Sequence, residues 1–195
     1  QAPGGLLVQF RDLPAHDSVV LLHQVLDVVV QLGAVARHLA PQHIERVAAM
    51  RQAEVRHVAI GFESPIDEEL KAMNKHIRAE DMLALVKVFR HFGFWVHGMF
   101  IFGYPATEKS AFQMPANVRA RAFKRFIRKA RIDTVQILLP VPLPGTALRE
   151  RLKRQNRVYP IQDVGWEYYD SNFPLFEPDD PLTAEEMHRA AKCVM

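Results

Sequence analysis

The sequence predicts a parallel α/β domain, and three observations carry that expectation. Five apolar, strand-like runs recur, each followed by a helical pattern, with strand starts roughly 20 to 40 residues apart, as in βα units. Two of the runs, HVAIGF and WVHGMFIFG, are apolar on both alternating faces, which suits strands covered by helices on both sides. The 195 residues, 49% hydrophobic and 24% charged, suffice for one domain with a sizeable core and fall short of two ordinary ones. Alternating units of this kind close as a barrel or lie as an open sheet.

The elements follow in order. Leu6–Phe10 is the first strand, with an apolar helix from about 18 to 32 after it; Ala34–Leu39 is the second, with a helix over 41–53. Val55–Glu63 leads into helical stretches at 67–73 and 79–92. Phe94–Phe102 is followed, after a loop, by a helix over 118–132, whose Phe123, Phe126, Ile127 and Ala130 form a buried stripe. Thr134–Leu139 precedes a helix over 147–155. After Asn156 the pattern fails: residues 157–182 are proline-broken and hold Tyr159, Trp166, Tyr168, Tyr169, Phe173 and Phe176, which predicts an extended tail packed across the domain before a last helix from about Thr183.

Composition narrows the function. Disorder, collagen and a disulfide scaffold are excluded, and no run of apolar residues is long enough for a membrane span. Cys193 stands alone, which suits a reducing cytoplasm and rules out a zinc or iron–sulfur site built from several cysteines of this chain. Between Asn117 and Arg157 twelve Lys/Arg face two acids, Asp133 and Glu150, whereas the remainder carries 13 basic and 20 acidic residues. Such a segment suits either the solvated outside of two helices or an anion-binding face.

In a parallel α/β domain chemistry gathers at the carboxyl ends of the strands. The first strand ends at Asp12, a ligand contact or a helix cap. The third ends in Glu63-Ser64-Pro65, where a carboxylate facing a pocket can accept bonds from sugar hydroxyls or an ammonium group, and where Ser64 alternatively caps the next helix. The fourth ends Gly98-Met99-Phe100-Ile101-Phe102-Gly103, and two glycines within six residues point to close approach by backbone or ligand. After the fifth, Leu139-Pro140 begins a stiff loop of alternating prolines ending at Thr146, a natural N-cap. No nucleophile elbow, phosphate loop or HExxH pattern is present.

Taken in register, VAIGFESPIDEELKAMNK, GFWVHGMFIFGYP and VQILLPVPLPGTALRERL resemble the second half of a radical S-adenosylmethionine (SAM) enzyme, closest to the group that often carries an N-terminal cobalamin-binding domain. The tail WEYYDSNFPLFEPDDPLTAEEM resembles the stretch after the barrel in those proteins, so the similarity covers roughly residues 50–190. The resemblance implies a partial TIM-like (β/α) barrel over 1–156 with about five of six βα units, and a C-terminal extension over 157–195. It implies SAM as cofactor, a 4Fe–4S cluster that cleaves SAM to a 5′-deoxyadenosyl radical, and cobalamin through a further domain. Glu63 and Ser64 match the ribose-contacting motif; Gly98, Ile101 and Gly103 match the adenine-contacting motif; Leu139 and Pro140 match the backbone flanking the adenine; Asp12 falls near the expected contact to the SAM amino group.

The family's first strand and CxxxCxxC cluster loop have no counterpart before Leu6. The expectation is therefore a fragment, inactive alone, of a cytoplasmic enzyme acting on a small-molecule substrate. Two alternatives are an RNA-modifying methylthiotransferase whose 117–157 segment tracks a tRNA backbone, and a cluster-less nucleotide-binding or structural α/β domain.

Overall fold

The computed structural model describes residues 41–107 and 110–195, so Asp12 and the first two strand-like runs lie outside the described residues. Among the described residues three strands, β1 (His57–Glu63), β2 (Trp95–Ile101) and β3 (Thr134–Leu138), form a parallel sheet in the order β1-β2-β3. The fold is α/β, with helices between and after the strands. They are α1 (Pro41–Gln52), α2 (Asp67–Ala72), α3 (Ala79–His91), α4 (Ala116–Ala130), α5 (Ala147–Arg154), α6 (Ile161–Val164) and α7 (Ala184–Val194). No described helix is long and apolar enough to cross a membrane.

Strict alternation along the strands decides which side is covered. Val58, Ile60 and Phe62 of β1, Val96 and Phe100 of β2 and Ile137 of β3 are buried. The core they enter also holds Leu85 and Phe89 of α3, Phe123 and Phe126 of α4, and Met187 and Ala191 of α7. Its centre is a chain of aromatic rings: Phe62 lies 5.4 Å from Phe100 and 5.7 Å from Phe126, and Phe102 lies 5.1 Å from Phe123. The opposite side presents His57, Ala59, Gly61 and Trp95, all exposed among the described residues. Among the described residues the covering helices lie on the side of Val58, Ile60 and Phe62, and alanine, glycine and histidine line the other side of β1.

The helices begin and end where their residues dictate. Thr146 Oγ1 accepts from the amide of Arg149 at the start of α5 (3.3 Å), and Thr183 and Glu186 form a capping box at the start of α7. Helix α4 stops at Arg131 in a left-handed conformation, with Arg128 and Lys129 in its last turn near the exposed carbonyls. Its apolar stripe, with Phe123 fully buried and Phe126 and Ala130 nearly so, packs against α3 and α7.

The segment after Asn156 folds back over the strand ends. Val158 pairs with Phe176 in an antiparallel bridge, flanked by bonds from the Tyr159 amide to the Leu175 carbonyl (3.1 Å) and from the Glu177 amide to the Arg157 carbonyl (2.8 Å). Leu175, Phe176 and Leu182 are buried, whereas Trp166, Tyr168 and Phe173 keep exposed edges.

Candidate ligand site at the strand ends

Residue Glu63 closes β1 in an unusual way. The register slips between Gly61 and Glu63, and Glu63 sits at φ +62°, in the left-handed region. A non-glycine residue costs roughly 1–2 kcal/mol there, and such strain persists where the surroundings enforce it. Its effect is visible in the next contact. A side-chain carbon placed on Gly61 would lie 3.2 Å from Glu63 Oε1, so the carboxylate is folded back over the bare backbone of Gly61 on the open side of the sheet. Oε1 accepts from Lys75 Nζ at 3.0 Å, the carboxylate is 21% exposed, and Oε2 has no hydrogen-bond partner among the described residues.

The neighbouring Ser64 turns the other way. It is fully buried, its hydroxyl donates to Glu69 Oε2 and accepts from the Ile66 amide (3.1 Å), and helix α2 starts only at Asp67. Glu69 is equally buried, and its Oε1 lies 2.6 Å from Arg119 Nη1, itself 5% exposed, whose guanidinium lies 6.0 Å from the Phe102 ring centre and 5.5 Å from that of Phe112. Burial pushes the Glu69 carboxyl up to about 7, against the lowering effects of Arg119 and Ser64. This buried group braces the loop that carries Glu63 from behind.

On β2, Gly98 belongs to the helix-covered side: an added carbon would meet Phe100 Cε2 at 2.9 Å and Ile132 Cγ2 at 3.1 Å. Gly103, at φ +83°, lies under α7, where an added carbon would fall 2.5 Å from Met187 Sδ. Both glycines permit close approach, and the atoms that approach are side chains of this chain, from β2 and the loop after α4 at Gly98 and from α7 at Gly103. Ile101 is half-buried, registers with Leu138 of β3, and lies on the open side with Met99. Leu139 and Pro140 are buried, and the Leu139 amide donates to the Ser171 carbonyl of the tail at 2.8 Å. Tyr104 is half-buried; burial raises its phenol above the usual range and nearby Arg151 opposes this.

The structure therefore brings the ends of β1, β2 and β3 to one edge, with Glu63 and Ile101 on its open side, while Ser64, Gly98 and Gly103 serve packing inside. A carboxylate oxygen such as Glu63 Oε2, without a hydrogen-bond partner among the described residues, can accept hydroxyl hydrogen bonds. No group of three metal-ligating side chains occurs among the described residues, and Cys193 is exposed on the last turn of α7. Sequence reasoning missed Glu69 and Arg119, which lie fifty positions apart with no motif between them, and Asp179, hidden in the irregular tail.

No protein-family profile matches the chain. Over 134 residues, 68% of the chain, it is 28% identical to an uncharacterized methyltransferase of Pyrococcus horikoshii, of which it covers 27%. Among solved structures it is similar to the coproporphyrinogen III oxidase HemN from Escherichia coli, a radical SAM enzyme, with a TM-score of 0.48 and 17% identity over 74% of this chain and 32% of that one. The chain thus spans less than a third of either protein's length.

Proposed function

We propose that this chain is the nucleoside-binding part of a SAM-dependent enzyme of the radical SAM type, built as part of a (β/α) barrel. The observation that carries the reading is the strained carboxylate at the end of β1: Glu63, at φ +62°, has Oε1 over Gly61 and bonded to Lys75, and its Oε2, without a hydrogen-bond partner among the described residues, stands where the resemblance expects the ribose hydroxyls. The similarity to a protein named as a methyltransferase supports SAM as the cofactor class. The chain's own residues would hold the ribose through Glu63, lay an apolar surface at Ile101 beside the adenine, and exclude water with Leu139 and Pro140.

A 4Fe–4S cluster does not fit the residues of this chain. It requires several thiolates, and the sequence contains Cys193 alone. The proposal therefore concerns SAM binding, and reductive SAM cleavage is not assigned to these residues.

Calorimetry with S-adenosylhomocysteine, which needs no reductant, tests the reading. Saturable binding by the chain, weakened at least tenfold by Glu63→Ala, supports it, and its absence overturns it. Anaerobic iron and sulfide analysis of the longest natural form tests the cluster: about four irons, with an electron paramagnetic resonance spectrum altered by SAM, would place this chain in a radical enzyme.

A second reading rests on α4. The helix carries no acid, and Arg121, Arg125 and Arg128 are exposed without an acidic partner among the described residues. An RNA-modifying enzyme would use that stripe on phosphates. Salt-sensitive RNA binding lost on neutralising these three residues supports it.

A further inference from the structure

We infer that Asp179 is a positioning residue for the proposed nucleoside site, acting from the C-terminal tail on the loop that follows β2. The inference rests on the SAM reading and adds to it the part that the tail plays.

The loop begins where the sheet ends. The Phe102 amide still donates to the Leu138 carbonyl at 2.8 Å, in continuation of the β2–β3 ladder. Beyond it Gly103 turns at φ +83°, and Pro105 has no N–H to give. From there to Ala106, the polar backbone contacts come from outside the sheet. The Pro105 carbonyl accepts from Arg151 Nη2 of α5 at 3.3 Å, and the Ala106 amide donates to Asp179 Oδ2 at 2.6 Å. A charged acceptor makes the second bond the stronger.

Asp179 is itself held on both sides. Its Oδ1 lies 2.6 Å from Arg157 Nη1, with the two side chains 29% and 18% exposed. Arg157 is pinned in turn by bonds from Nε to the Glu177 carbonyl (2.7 Å) and from Nη1 to Gln155 Oε1 (3.1 Å). The Asp179 carbonyl accepts from the Leu182 amide at 3.0 Å, and Leu182 and Met187 pack on Gly103. The tail therefore reaches the loop twice, through the Asp179 carboxylate at Ala106 and through apolar packing at Gly103. A loop left loose here would have to be ordered when a nucleoside binds against it, and that ordering would subtract from affinity.

The test compares the wild-type chain with Asp179→Ala, using hydrogen exchange at the Ala106 amide and calorimetry with S-adenosylhomocysteine. Val47→Ala, which removes buried methyl groups on α1, is the control for general destabilisation. Asp179→Ala is expected to speed exchange at Ala106 at least tenfold and to weaken S-adenosylhomocysteine at least tenfold, whereas Val47→Ala lowers the melting temperature and leaves both readings unchanged. Should Asp179→Ala fail to fold, Asp179→Asn replaces it; the lost ion pair with Arg157 is expected to give smaller changes in the same direction. Unchanged exchange at Ala106 overturns the inference, as does faster exchange with unchanged affinity. If the wild-type chain binds no S-adenosylhomocysteine, the nucleoside reading fails by itself, and exchange at Ala106 alone upholds or overturns the anchoring of the loop by Asp179.

Discussion

Replacing Arg119 with Met tests the account of the buried group behind the β1 end. Methionine keeps much of the apolar stem that packs among the rings of Phe102 and Phe112 while deleting the cation. What remains is Glu69, 0% exposed, with Ser64 as its hydrogen-bond partner. Breaking a buried ion pair by removing one member costs about 3–5 kcal/mol, because the other charge is left uncompensated. Glu69 has an escape, since it can take up a proton. In the wild-type chain burial already holds it at about 7 instead of 4.5. Below pH 4.5 the group is neutral in folded and unfolded chains alike. Between 4.5 and 7 the folded chain keeps a proton that the unfolded chain releases, so stability falls as pH rises through that window, by about 3 kcal/mol at 1.36 kcal/mol per unit. Without Arg119 the opposing attraction is gone, the carboxyl rises further, and the loss continues above pH 7. Urea unfolding followed by tryptophan fluorescence should therefore show Arg119→Met costing about 3–5 kcal/mol at pH 8.5 and about 2 kcal/mol or less at pH 6. A cost below about 1 kcal/mol at pH 8.5, or an equal cost at both pH values, would refute the reasoning.

Three further outcomes follow from the same contacts. Glu63→Gly and Glu63→Ala should both lose S-adenosylhomocysteine binding, but the glycine variant should be the more stable by about 1 kcal/mol in urea unfolding, because it relieves the left-handed φ that alanine keeps. Gly103→Ala should destabilise by about 2–4 kcal/mol, from strain at φ +83° together with the clash at Met187 Sδ; adding Met187→Ala should not restore the strain component, so the double variant stays below wild type in melting temperature. Thr183→Ala should cost about 1 kcal/mol by thermal melting, since the hydroxyl accepts from the Glu186 amide at 3.2 Å.

Periodic features were legible in the sequence. The stripe of Phe123, Phe126 and Ala130 is the core face of α4, Thr146 caps the helix it precedes, and the last helix starts just after Thr183, because 3.6-residue spacing and a hydroxyl before a helix are local signals. The three described strands lie within the apolar runs, trimmed at their ends: β1 starts at His57 instead of Val55, after Glu54 has turned at φ +63°. Alternation along β1 continues through its end and sets Glu63 over the open face and Ser64 behind it. What local pattern does not encode is the left-handed turn at Glu63 and the buried Glu69 that Ser64 meets. Likewise Arg119 stands in a run of bases that suggests a solvated face, and its burial depends on Glu69, fifty residues away. Gly98 and Gly103 do mark close approach, but sequence spacing could not say that Ile132 and Met187 are what approaches.

The contrast between Glu63 and the two glycines supports the proposal that the β1 end is the ligand-facing part of the site. At Gly98 and Gly103 the missing side chain is answered by a packed atom of this chain, so the local packing accounts for the residue type. At Glu63 a glycine would relieve the backbone, and the ion pair with half-exposed Lys75 is too solvated to return more than about 1 kcal/mol. Stability alone therefore does not account for a glutamate at that position. A residue type that packing does not explain, placed at the carboxyl edge of a parallel sheet and braced from behind by Ser64, Glu69 and Arg119, is where selection for a ligand would leave its mark.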